Sequence, residues 1–551
     1  MKILKFWKSL SKSDKLFLLV TGILFLLTRL LFLTEIPKGI HSDEMSMTYN
    51  TWSLTEFGQD RYGHSYPVYF DNVLSGQSTL MVYCTVLLCK IFGYSFYIVR
   101  LVPVIFGALL TIFGGLLAKE LVDKRFAKIT TILLVILPFF IQSQRWAFDC
   151  YAILATVVMS MYFLVKAFGT QRLKYYILSG VCFGITLYSY VLAWILVPMF
   201  LLISLIYCVI TDKLNKKCFF LMVLITTIIA LPLLYFIGIL YLGFPEINTE
   251  FFSIYKASAS RTSDVGFTLP SLGKISIVLS QMFTDDFYDF VASSKYWTMY
   301  PISIPLFLVG VVCIVLDLKN KKKNGLCIKS EISIISLAFI VCNLTLIMFS
   351  NATNIYRYNA VFYSLVIPIA YAIYKSSKAN RLLPKTLLII YSLFFIFFCK
   401  YYYVDYEEYS PLKFFDYKLY KVCDNLKEFK NEEIYVDDVG ILNPHLGVLY
   451  GLKVEPSEIK DPMKNLNSKK PKFLNTCVYL PETISPNSDA IYVIKDYNAK
   501  TYIYRDVWKE DDTTIDRHKE FKEKLDNLNI PCVKSNGYYI YTKNEKVLEA
   551  F

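Results

Sequence analysis

The chain has 551 residues; 55% are hydrophobic, 17% are aromatic and only 19% are charged. Soluble proteins carry about a quarter charged residues, so much of this surface must face lipid. The net charge of +13 does not indicate a nucleic-acid partner, because the Lys and Arg residues sit between apolar runs rather than along one polar face.

In chain order, the first apolar run covers about 16–34. It is too long for a secretory signal and lacks a small-residue cleavage site, so it reads as a retained anchor. Further runs of spanning character fall near 98–118, 129–141, 150–167, 175–190, 191–209, 218–240, 301–317, 333–349, 358–374 and 386–399. Between them lie basic clusters such as Lys119, Lys124 and Arg125, or Lys375, Lys378 and Arg381. Short basic loops stay in the cytoplasm, which puts an N-terminus inside and a C-terminus outside. Leu80–Phe92 resists this map. It is apolar but short, and a single crossing there would invert every later loop. It is either a re-entrant or interfacial helix or part of a pair of short crossings ending near Arg100.

Two long polar segments, about 35–78 and 241–300, face outward on this map. After Lys400 the charge density rises. Alternating patterns predict strands at Glu433–Val436, Ala490–Ile494 and Tyr538–Thr542, with helices near Phe415–Phe429 and Asp516–Leu525. The expected architecture is an all-α polytopic membrane domain over 1–400, with about 11–13 transmembrane helices. A soluble, extracytoplasmic α/β domain follows over 401–551. The 13 cysteines show no paired spacing and imply no disulfide framework.

The most informative stretch directly follows the first span: Pro37-Lys38-Gly39-Ile40-His41-Ser42-Asp43-Glu44. Its two carboxylates sit at the membrane–water boundary, before a short helix predicted over Met45–Leu54. Ser42 or Asp43 could cap that helix, and a capping carboxylate is also a positioned one. The order Pro-x-Gly, Asp-Glu, a helix ending near Gly58, then Tyr62-Gly63 and Pro67 resembles the first outer loop of the GT-C membrane glycosyltransferases. The resemblance is to the branch holding protein O-mannosyltransferases and bacterial lipid A aminoarabinose transferases, and it covers the ordering of roughly 15–400. It implies transfer of a sugar from a polyprenyl-phosphate donor to an acceptor outside the membrane, with Asp43 as general base and Glu44 supporting or orienting it. The chemistry suits the residue types. A carboxylate can take the proton of an attacking hydroxyl, and a single displacement inverts the anomeric centre.

Two further clusters carry rare charges beside apolar spans. Arg145 and Asp149, in Gln144-Arg145-Trp146-Ala147-Phe148-Asp149, would share a face if helical. They form either a structural ion pair or a donor site, and the resemblance favours contact with the donor phosphate or sugar. Arg357, in Tyr356-Arg357-Tyr358-Asn359, either snorkels to headgroups or forks onto a phosphate; the resemblance again favours the phosphate. No cofactor is required, although His41, His64 and Asp43 could hold a divalent metal ion. Asp285-Asp286 reads as solvated loop charge.

The alternative is a transporter or flippase of a lipid-linked sugar. Transporters show matched, broken helices in two halves, and no such repeat is found. The partners expected are the lipid-linked donor, membrane lipid, and a glycan, lipid or protein acceptor. A Lys-, Asn- and aromatic-rich composition suits a bacterial plasma membrane.

Overall fold

A computed structural model describes residues 8–37, 39–72, 75–210, 215–257, 272–280, 296–319, 340–348, 355–405, 415–416, 418–439, 443–484, 489–496 and 512–551. The expected pair Asp285-Asp286 lies outside these residues.

The helical scaffold follows the apolar runs. It comprises α1 (Lys12–Leu30), α4 (Phe96–Leu121), α5 (Lys124–Ile136), α6 (Pro138–Gln142), α7 (Ala152–Thr170), α8 (Leu173–Leu187), α9 (Ala193–Ile210), α10 (Lys216–Leu242), α11 (Ser303–Lys319), α12 (Val361–Ser376) and α13 (Leu383–Lys400). In the first long loop lie α2 (Ser42–Glu56) and α3 (Leu80–Phe92). Residues 340–348 are also helical. The helices around α4, α7 and α10 are long and apolar enough on their own to cross a bilayer, as is 383–405. The chain is a multi-pass membrane protein.

Pro138 breaks one predicted span into α5 and α6, bent by 64°. A proline offers no N–H and clashes with the carbonyl four residues back, and in lipid the freed carbonyls need partners. Three side-chain groups supply them. Arg29 donates from Nη2 to the Leu134 carbonyl and from Nη1 to that of Val135, and the Tyr300 hydroxyl donates to Ile136.

Leu80–Phe92 forms one helix of 13 residues. At 1.5 Å per residue it is about 20 Å long, short of the roughly 30 Å hydrocarbon core. It lies beside α2, and the hydroxyl of Tyr94 just beyond its end donates to the Thr48 carbonyl within α2. Leu87, Ile91 and Phe92 remain exposed on its far side. Its length favours an interfacial or re-entrant helix over a full crossing.

The strands of the first loop are β1 (Ile40–His41) and the hairpin β2 (Phe70–Asn72) and β3 (Ser75–Gln77). A second short hairpin pairs β4 (Ile247–Asn248) with β5 (Ser253–Ile254). After α13 comes β6 (Phe415–Asp416), which pairs antiparallel with β1, Ile40 opposite Asp416 and His41 opposite Phe415. A six-stranded mixed sheet follows, built from β7 (Ile434–Val436), β8 (Lys472–Phe473), β9 (Thr476–Cys477), β10 (Ile491–Lys495), β11 (Cys532–Ser535) and β12 (Tyr538–Tyr541). Its order is β11-β12-β10-β7-β9-β8, with β7 parallel to both β9 and β10. The predicted strands are within a residue of those observed. The helix expected over Phe415–Phe429 is confined to Leu419–Asn425, since 415–416 is strand.

This sheet region shares a core with the first loop. Ile40, Met45, Tyr49, Trp52 and Tyr62 pack with Leu419, Leu446 and Leu449. The Tyr49 hydroxyl donates to the Val454 carbonyl at 2.6 Å.

Candidate active site

The site is built on the loop that α1 feeds, and buried arginines fix its path. Arg100, at the start of α4, is wholly buried and donates to the carbonyls of Leu33, Pro37 and Gly39. It also meets both oxygens of Glu44, Nε to Oε1 at 3.0 Å and Nη2 to Oε2 at 2.9 Å. Such a fork holds direction as well as distance. Oε1 of Glu44 further accepts from the Ala147 amide. Glu44 is therefore tied to Arg100 and to the Ala147 amide.

Arg145 was expected at the donor phosphate. Its guanidinium instead donates to the carbonyls of Thr28, Arg29, Leu31, Phe32 and Ile36, at 2.6–3.2 Å. A helix end leaves its last carbonyls without intrahelical donors, and Arg145 satisfies them where α1 runs into the loop. The helical spacing assumed for Arg145 and Asp149 also fails. Ser143–Arg145 and Asp149–Tyr151 are separate 3-10 turns, with Trp146 and Phe148 extended between them. The premise failed because the chain leaves the helical path at Trp146 and is extended to Phe148.

Asp43 is half-buried in the first turn of α2. The cap of this helix is His41, whose Nδ1 accepts from the Asp43 amide, rather than Ser42 or Asp43 as expected. Successive helical residues point about 100° apart. Glu44 thus turns inward to Arg100, while Asp43 turns to the β2–β3 hairpin. There Asn72 donates from Nδ2 to Asp43 Oδ1 at 3.0 Å, and Gln77 donates to the Asp43 carbonyl at 3.2 Å.

From the hairpin a polar path leads to the other expected residues. The Ser78 amide donates to Asp149 Oδ2 at 2.9 Å, and Asp149 Oδ1 accepts from the Cys150 amide. Asn359, fully buried, donates to the Cys150 carbonyl at 3.0 Å. Arg357 sits two residues before it, in the turn Ile355–Tyr358, and is half-buried. The stretches carrying Asp43, Asp149 and Arg357 are thereby linked in space.

Sequence reasoning missed Arg29, Arg100 and Arg61. The first two were signalled by a cation inside or beside an apolar span. Arg61, in Gln59-Asp60-Arg61, reads as ordinary loop charge, yet it is fully buried.

The expected metal set does not assemble. His41 caps α2, and His64 stacks on Tyr255 at 3.6 Å. Among the described residues one other group, Asp437, Asp438 and His518, has potential ligand atoms within 4.8 Å of one another. There Asp437 already accepts from the Val439 and Lys495 amides and lies 2.8 Å from His518 Nδ1.

A helical membrane scaffold followed by a C-terminal domain built on a sheet is the architecture the sequence led us to expect. A family model described as dolichyl-phosphate-mannose-protein mannosyltransferase matches residues 77–236. Among solved structures, ArnT from Cupriavidus metallidurans in the apo state aligns with TM-score 0.57 at 11% identity, covering 97% of this chain and 98% of that one. ArnT bound to undecaprenyl phosphate aligns with TM-score 0.55 at 10% identity, with the same coverage. The Archaeoglobus fulgidus oligosaccharyltransferase aligns at TM-score 0.49 and 14% identity, over 79% of this chain; the chain spans 63% of that protein's length. No curated protein matches in sequence.

Proposed function

We propose that this protein is a glycosyltransferase that moves a sugar from a polyprenyl-phosphate donor to an acceptor hydroxyl at the outer membrane face, with Asp43 as general base. The observation that carries this reading is the placing of Asp43. It is a half-buried carboxylate at the head of α2, held by Asn72 in a loop that Arg100 and Arg145 fix to the membrane helices. The acceptor oxygen attacks the anomeric carbon as the sugar–phosphate bond breaks. The bond's electron pair leaves with polyprenyl phosphate, and the acceptor proton goes to Asp43. One displacement inverts the centre. A phosphate leaving group needs a cation rather than an acid. With Arg145 committed to carbonyls, Arg357 is the candidate for the phosphate, and Asp149 the candidate for donor hydroxyls. The undecaprenyl phosphate in one ArnT structure supports a lipid-phosphate donor for this fold.

Residues 1–400 form the catalytic unit in this reading. Residues 401–551 lie outside a bacterial plasma membrane, on the same side as the first loop with which they share a core.

The test uses membranes containing the full chain and a radiolabelled polyprenyl-phosphate sugar. Free polyprenyl phosphate should appear only with acceptor present. Asp43→Asn should slow its release by about 10²–10⁴-fold at unchanged expression. Full activity in Asp43→Asn would overturn the assignment. Carrier movement across vesicles without cleavage would favour a flippase.

A further inference from the structure

Arg61 is completely buried, and its surroundings differ from those of the other arginines. One nitrogen, Nη2, faces the Ser46 hydroxyl, and more distantly the Asp71 carbonyl and Asn72 Oδ1 at 3.4 and 3.5 Å. Nε and Nη1 have no hydrogen-bond partner. Among the described residues no carboxylate lies within 4.0 Å of this guanidinium. A buried cation without a counter-ion is strongly disfavoured unless something else compensates it.

Other unmet groups surround it. Asn50 accepts from the Arg61 amide through Oδ1, and its buried Nδ2 has no partner. His445, from the short helix Pro444–Gly451, presents a buried Nε2 with no partner. Burial, and then the Arg61 charge, holds the His445 pKa down near 3, so the imidazole is neutral. The unmet groups on Arg61 and Asn50 are donors, and the buried carboxylates of Asp60 and Asp71 stand in the same neighbourhood, beyond salt-bridge distance of the guanidinium.

Its location points to the ligand. The groups around Arg61 come from α2, the β2–β3 hairpin and the C-terminal region, and none comes from a membrane-spanning helix. A lipid-borne phosphate would arrive from the helix side, where Arg357 stands. Asn72 joins the cluster to the candidate base, with Oδ1 toward Arg61 and Nδ2 on Asp43.

We propose that Arg61, with Asn50 and His445, forms an acceptor subsite for an oxyanion, a phosphodiester or a carboxylate carried beside the hydroxyl that Asp43 deprotonates. This rests on the transferase reading given above. A planar guanidinium with two free N–H groups matches either anion bidentately. Asn72 then links anion recognition to the placing of the base.

The test measures binding to the full chain in lipid nanodiscs with three probes of one backbone: glycerol 3-phosphate, glycerate and glycerol. One or both anions should bind, and the neutral polyol should not; the better anion identifies the class. Arg61→Gln should weaken anion binding on the order of tenfold or more, while undecaprenyl phosphate still binds, which also reports that the variant is folded. His445→Phe carries the same test in a chain that keeps Arg61, and should weaken anion binding several-fold. Equal binding of anion and glycerol, or unchanged anion affinity in both variants, would overturn the subsite. So would loss of undecaprenyl phosphate binding in folded Arg61→Gln, since the anion would then be the donor's. Asp43→Asn should still bind the anion, so failure of the base assignment and failure of the subsite are read separately.

Discussion

Arg145 and Arg61 are equally buried, yet they sit in different chemical company. Arg145 meets five carbonyls at the end of α1, whereas two of the Arg61 nitrogens meet nothing. The first lies at the join between membrane helix and loop, where a helix end must be satisfied without water. The second lies between the first loop and the C-terminal region, away from the ends of the membrane helices. Burial alone thus does not separate a structural cation from a binding one; the saturation of its donors does.

The contrast is sharpest in stability. Arg145→Ala would strip five carbonyls of a donor, each worth about 1–3 kcal/mol when buried and unpaired. Loss of folded protein in fluorescence-detected size exclusion is the expected outcome, and a normally folded variant would break the comparison. Glu44→Gln should cost about 3–5 kcal/mol by leaving Arg100 without its counter-charge, read as a lower melting temperature.

A pH effect is next in size. His445 is held neutral to about pH 3, below its ordinary value of 6.5. The unfolded chain takes up a proton between these values and the folded one does not, so stability should fall as the pH drops from 6.5 toward 3. His445→Phe should flatten that part of a melting-temperature profile. The smallest effect belongs to Arg61→Gln without ligand. Removing an uncompensated buried charge should leave the melting temperature unchanged or slightly raised, and a fall as large as that of Arg145→Ala would erase the distinction between the two arginines.

The helical scaffold was legible because apolar runs of bilayer length have few alternatives. The strands at 434–436, 491–495 and 538–541 were equally plain from alternation. Sheet order was not, since no motif in this sequence marks register. At the site, the Asp-Glu pair was visible, but the partner of Glu44 was not, because that depends on which helix face meets Arg100. The Arg145–Asp149 spacing misled because the chain turns extended at Trp146 and Phe148, between two 3-10 turns. Arg61 escaped notice because a loop charge carries no sign of being buried by a segment nearly 400 residues later.

The pairing of β1 with β6 has a consequence for assembly. The strand that leads into Asp43 completes its ladder only with residues 415–416. The first loop is thus among the earliest parts of the chain to leave the ribosome and among the last to be finished. Until residues 415–416 are made and folded, the strand beside Asp43 lacks the partner it has in the finished chain.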